Sequence, residues 1–142
     1  MSIEKRGRVL GVDYGDVRTG IAISDEGRFL ASGITTLREA GMLKTADRVA
    51  AEAVGRGATM IVVGLPKNMD GSEGPRAEVI RAFVGYLSER TEIPIELWDE
   101  RLSTVEAHRI LSASDVGGRR RRAVVDTLAA EIILQSFLDA HR

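Results

Sequence analysis

The stretch Val9-Leu10-Gly11-Val12-Asp13-Tyr14-Gly15-Asp16-Val17-Arg18-Thr19-Gly20-Ile21-Ala22-Ile23-Ser24 sets the architecture of the chain. Val9 to Tyr14 is a short apolar run and reads as a buried strand. Gly15-Asp16 punctuates it as a turn. Thr19 to Ser24 then reads as its hairpin partner. Asp25-Glu26-Gly27 is a second turn, and Arg28 to Leu37 reads as a third strand. The three predict an antiparallel meander.

Beyond the meander the hydrophobic period changes. Leu43 to Arg56 is helical, and Gly57 ends it. Thr59 to Val63 is a fully apolar strand. Pro75 to Glu89 reads as a helix with proline near its first turn, where its missing N–H is tolerated. Pro94 to Trp98 is a strand. Ser103 to Ala113 reads as a helix opened by the capping-box pair Ser103 and Glu106. Ala123 to Ala140 is the last helix, with Val125, Ala129, Ile132, Ile133, Ser136 and Phe137 at three- and four-residue steps. The expectation is an α/β fold. Its mixed five-stranded sheet has three antiparallel strands and then two parallel ones, with helices on both faces. No repeat or long linker interrupts residues 1–142, which read as one domain.

Composition narrows the function. There are no cysteines, which excludes disulfides and thiolate metal sites. Oxygen-ligated hard metals stay open. Aromatic residues make up 4%, too few for an extended base-stacking surface. Net charge is −1, yet 17 of the 20 basic residues are arginine and four are consecutive, Arg119 to Arg122. Arginine suits bidentate phosphate contacts; a bias of the genome toward arginine codons would give the same count. The polar start of the chain carries no apolar signal region, and no run is long enough to span a membrane. A cytoplasmic protein is expected.

Three acids stand where chemistry is expected. Asp13 lies inside an apolar strand, where a charge is costly unless it is paired or binds a cation; a turn-forming Asp at a strand end is the plainer reading. Glu100 follows the fifth strand. Strand alternation places it on the face of Trp98 and Glu96, with Asp99 opposite. It also reads as a solvated acid before a capped helix. Asp126 shares a helical row with Ala130, Ile133 and Phe137, or is simply an acid favoured near a helix N-terminus. Each comes from a different element, near an end able to converge at the carboxyl edge of a parallel sheet. Clustered carboxylates repel unless a cation compensates them. Oxygen ligands favour Mg²⁺ or Mn²⁺, and two such ions about 4 Å apart suit phosphodiester hydrolysis.

Two segments are candidates for nucleic-acid contact. Gly64-Leu65-Pro66-Lys67-Asn68 follows the fourth strand and leads into Asp70-Gly71-Ser72-Glu73-Gly74, which reads as a polar, glycine-rich, flexible loop; Lys67, Asn68 and Arg76 are placed to hold phosphates near the metals. Arg101 beside Glu100 is another such candidate. Ser114 to Arg122 reads as a mobile segment whose Arg120, Arg121 and Arg122 precede Asp126. Ordinary solvated loops are the competing reading of both. His108 and His141 stand in no metal-ligand spacing.

Four pieces in this order resemble the YqgF/RuvX family along nearly the whole chain. They are Gly11-Val12-Asp13-Tyr14-Gly15 with Thr19-Gly20; Val63-Gly64-Leu65-Pro66; Asp99-Glu100-Arg101-Leu102-Ser103-Thr104; and Val125-Asp126 with Ala129-Ala130 and Ile133-Leu134-Gln135-Ser136. The resemblance implies an RNase H-like fold related to the Holliday-junction resolvase RuvC. It implies a cytoplasmic bacterial nuclease that either resolves junction DNA or matures the 5′ end of small-subunit ribosomal RNA precursor. Its acidic positions carry over to Asp13, Glu100 and Asp126. In RuvC the second acid follows the fourth strand, where this chain has Gly64-Leu65-Pro66. RuvC also has two acids in its last helix, against one here.

Three rival functions follow. A junction resolvase needs two active sites and hence a homodimer, whereas an RNA-processing nuclease is compatible with a monomer. An actin-like kinase would share the Asp13-x-Gly15 loop, but 142 residues leave no room for its second lobe. A non-catalytic RNA-binding or ribosome-assembly module would explain the near-neutral charge.

Overall fold

The computed structural model describes residues 7–103 and 119–142, with side chains in the last helix from residue 127 onward. The meander forms as expected. Strand β1 is Arg8–Asp13, β2 is Thr19–Ser24 and β3 is Ala31–Leu37. Helix α1 (Met42–Gly55), β4 (Ala58–Leu65), α2 (Pro75–Ser88) and β5 (Ile95–Asp99) follow. A single 3₁₀ turn spans Glu100–Leu102, and α3 is Arg119–Ala140. The sheet order is β3-β2-β1-β4-β5. β2 is antiparallel to both β1 and β3, while β4 is parallel to both β1 and β5.

Three element boundaries differ from the sequence reading by two residues or more, the first being β4, which runs on past Val63 to take in Gly64 and Leu65. β3 starts at Ala31, three residues later than expected. Arg28 takes a left-handed backbone, φ 63°, and the Asp25 carboxylate accepts the N–H groups of Phe29 and Leu30 at 2.8 and 2.9 Å. That cap lengthens the turn. α3 starts at Arg119, so Arg119 to Arg122 are helical and not part of a mobile segment. Arginine is a good helix former, and the breakers Gly117-Gly118 stand just before it. The expected helix Ser103–Ala113 lies outside the described residues after Ser103.

The two faces of the sheet are covered differently. Leu10, Val12, Ile21, Ile61 and Val63 pack under α1 and α2, against Val49, Ile80, Phe83 and Leu87. The opposite face carries Val9, Ala22 and Val62 under α3, against Ala130, Ile133, Leu134 and Phe137. α3 lies close to the sheet there. A Cβ on Gly11 would stand 2.7 Å from Leu134 Cβ, and one on Gly33 would stand 2.5 Å from Thr127 Cγ2. Side chains of α3 also reach the outer strand. Gln135 Oε1 accepts the Ala31 N–H at 2.9 Å, and Glu131 Oε1 accepts the Gly33 N–H at 2.8 Å. Among the described residues, no helix is long and apolar enough to cross a membrane.

Candidate active site

The site is built on one row across the carboxyl end of the sheet. Thr36 of β3 pairs with Gly20 of β2, and Gly20 pairs with Asp13 of β1. On the other side β1 runs beside β4 with Val12 opposite Val63, which brings Gly64 level with Asp13. Asp13 therefore stands between two strand glycines, on the face covered by α3. It is 5% exposed.

Glu100 reaches the same place from the neighbouring strand. It directly follows β5 and is 9% exposed. A Cβ on Gly64 would meet Glu100 Oε2 at 3.0 Å and Ile133 Cδ1 at 2.6 Å. The carboxylate thus lies over Gly64, in space that any β4 side chain would fill. The face is that of Trp98, as alternation predicts. Several bonds fix this corner. Trp98 Nε1 donates to Ser136 Oγ at 3.0 Å, and Ser136 Oγ donates to the Leu102 carbonyl at 2.8 Å. Ser103 donates twice to the Glu100 carbonyl.

Asp126 is the eighth residue of α3, since that helix opens at Arg119. A helix-dipole role for it fades accordingly, because that effect is confined to the first turn. Its row continues through Ala130, Ile133 and Phe137, all buried. The next residue, Thr127, shares a 2.8 Å hydrogen bond with Thr36. This bond sets the backbone at residue 126 at the same end of the sheet as Asp13. The Asp126 side chain lies outside the described residues. Among the described residues no group of three acidic or histidine ligands gathers.

Asp13 and Glu100 open into a cleft of about 1290 Å³, rimmed by Arg18, Lys67, Asn68, Met69, Arg76 and Arg101. The expected phosphate contacts divide here. Arg76 binds the Asp16 carboxylate at 3.0 Å and the Tyr14 carbonyl at 2.9 Å, over the Tyr14 ring. It ties the β1–β2 turn to α2. Arg101 grips Asp99 with Nε and Nη2, and that hydrogen bond holds the Asp99 carboxyl below its ordinary range. Asn68 bonds Ser72 Oγ at 2.9 Å. Lys67 lines the cleft half-buried. Arg120, Arg121 and Arg122 belong to the first turn of α3, with side chains outside the described residues. Sequence reasoning missed Arg18, whose signal was its place in the turn after Asp13. It also missed Gly64 as the seat of Glu100, which no local pattern marks.

Comparison with known proteins gives matches in both sequence and fold. The family described as "RuvX: Holliday junction resolvase" matches residues 7–140. A protein of Myxococcus xanthus (strain DK1622) named "Putative pre-16S rRNA nuclease" is 48% identical over 135 residues, covering 95% of this chain and 89% of the relative. One of the same name from Pelotomaculum thermopropionicum is 46% identical, covering 94% and 87%. Among solved structures, Thermus thermophilus RuvC in complex with a Holliday junction substrate aligns with TM-score 0.56 at 12% identity, covering 94% of each chain. The fowlpox virus Holliday junction resolvase aligns with TM-score 0.51 at 13% identity, covering 95% and 99%. At such identities the likeness is one of fold.

Proposed function

The chain belongs to the RuvX family, and on that premise we propose that it is a metal-dependent nuclease of the cytoplasm, cleaving phosphodiester bonds in 5′-end processing of precursor 16S ribosomal RNA. One observation carries the chemistry: two buried carboxylates, Asp13 and Glu100, line the same cleft, which is rimmed by cationic side chains. The substrate follows the names of the relatives at 46–48% identity.

The donor set suits a hard divalent cation. The described cleft lining offers carboxylate oxygens and neither histidine nor cysteine. Asp13, Glu100 and Asp126 would hold Mg²⁺ or Mn²⁺. When bound, such ions lower the pKa of a coordinated water and neutralise charge on the leaving oxygen. The chain's own contribution is placement. Gly64, with no side chain of its own, leaves the room that the Glu100 carboxylate takes, and the Trp98–Ser136–Leu102 relay holds the Glu100 corner. Lys67 and Arg18 meet the phosphates that enter. Arg120, Arg121 and Arg122 extend that contact from the start of α3.

A second reading, resolution of branched DNA, is favoured by the family's own description. It requires a homodimer that presents two such clefts. The test is cleavage of precursor 16S rRNA and of a four-way DNA junction in parallel, with Mn²⁺, Mg²⁺ or EDTA, by wild type and Asp13→Asn. Wild type should cut the RNA with metal only, and Asp13→Asn should cut neither. Cutting of the junction alone would replace the RNA assignment with the second reading. Equal cutting by both proteins would remove the site from Asp13.

A further inference from the structure

Met69 is the most exposed large apolar side chain among the described residues, at 95%. It stands on the rim of the cleft that holds Asp13 and Glu100. Its loop is tightly closed. Asn68 N donates to the Ser72 carbonyl at 2.8 Å, and Gly71 N to the Asn68 carbonyl at 2.9 Å. Ser72 donates to Asp70 through both its N–H and its hydroxyl, and Gly71 turns the chain at φ 89°. Arg101 Nη1 donates to the Met69 carbonyl at 3.4 Å, which ties the tip to the corner beside Glu100. The polar side chains of the loop bond one another, and the one side chain held out is apolar.

A single exposed apolar side chain is ordinary on a protein surface; what sets Met69 apart is a hydrogen-bonded loop that holds it at the rim of the cleft. The surroundings indicate which ligand. The nearby acids are engaged: Asp70 by Ser72, Glu73 by Arg81 and Asp99 by Arg101. Lys67 and Arg18 line the same cleft. An apolar tip set among cations matches a polyanion with apolar flat surfaces. A duplex keeps its base faces covered by stacking, so a flexible thioether gains contact only where stacking is broken.

We propose that Met69 packs against an unstacked nucleobase of the nucleic acid in the cleft, so that the enzyme recognises an unpaired nucleotide close to the bond it cuts. The proposal rests on the nuclease reading above and adds the structural feature that the site selects.

The test is fluorescence anisotropy with two probes of equal length, an oligoadenylate and an abasic oligonucleotide with the same phosphates. Wild type should bind the oligoadenylate more tightly. Met69→Ala should lose about tenfold on the oligoadenylate, as expected for uncovering roughly half a methionine side chain. It should keep its affinity for the abasic probe, its salt slope and its melting temperature. Met69→Leu should retain most of the preference. Equal affinity of wild type for both probes would overturn the base contact and leave the nuclease reading standing. An unchanged preference in Met69→Ala, or an equal loss on both probes, would overturn it too. Binding of neither probe by wild type would bring down the nuclease reading itself.

Discussion

The two faces of the sheet hold their helices by opposite means. Under α1 and α2 the strands present Leu10, Val12, Ile21, Ile61 and Val63, and Phe83 and Leu87 fill the space between. Under α3 the corresponding positions include Gly11, Gly33 and Gly64, and the helix descends almost onto the backbone. The first face gains stability from apolar volume. The second gives up volume for proximity, and at its carboxyl end the room above the sheet holds carboxylates. One face therefore carries mainly apolar volume, and the other also houses the two buried carboxylates of the proposed site.

That contrast can be broken from either side. Asp13→Asn should abolish metal-dependent hydrolysis, a loss of several kcal/mol of barrier or roughly three orders of magnitude or more in rate. Its melting temperature without metal should hold or rise, because a buried charge has been removed. A cooperative loss of structure in this variant would show that Asp13 supports the fold. Phe83→Ala on the other face should do the reverse. Its ring is fully buried and stacks on Tyr14 at 4.4 Å between centroids, and its loss should cost about 3–5 kcal/mol in denaturant unfolding. Rates at low temperature should change far less than stability. A large rate loss with intact stability would tie the α2 face directly to the site.

Gly11→Ala tests proximity itself. The new methyl would meet Leu134 Cβ at 2.7 Å and the Ala130 carbonyl at 3.2 Å, groups that yield only if α3 moves. Overpacking of this kind costs about 1–3 kcal/mol. Because α3 also carries Asp126, activity should fall beyond what the loss of folded protein explains. Activity that follows the folded fraction alone would mean that the helix tolerates displacement.

The smallest effect concerns pH. The Arg101 hydrogen bond lowers the Asp99 carboxyl, which is half-buried. A depressed folded-state pKa adds stability at pH above the ordinary carboxylate range, and that stability disappears as pH falls through the folded value. Asp99→Asn should therefore be slightly less stable than wild type at neutral pH, and the gap should close in acid. A gap that persists in acid would assign the loss to packing.

How much of this was legible depended on the distance between partners. Strand alternation, a local property, placed Glu100 on the face of Trp98, and the apolar runs located all five strands. Gly57 was legible as the end of α1 because its left-handed backbone, φ 70°, is a single-residue requirement. The start of α3 was misplaced because four consecutive arginines look like a solvated loop, although each favours a helix. The partner of Gly64 was illegible. Glu100 lies 36 residues away, and only the parallel register of β4 and β5 brings the two together. Arg76 and Arg101 were expected to meet phosphate from their charge alone, and the structure engages both with carboxylates of the chain.

The bonds from Gln135 and Glu131 to the N–H groups of Ala31 and Gly33 bear on how the protein behaves in a crowded solution. β3 ends the sheet, and a bare terminal strand offers a template on which another chain can add. Here two of its donors are already taken by the helix above, at 2.9 and 2.8 Å. A second molecule adding a strand there would first have to displace two side chains of α3. The helix that closes over the acidic end thus also acts as a guard against runaway polymerisation of the sheet, and a variant that shortened Gln135 and Glu131 would expose a sticky border.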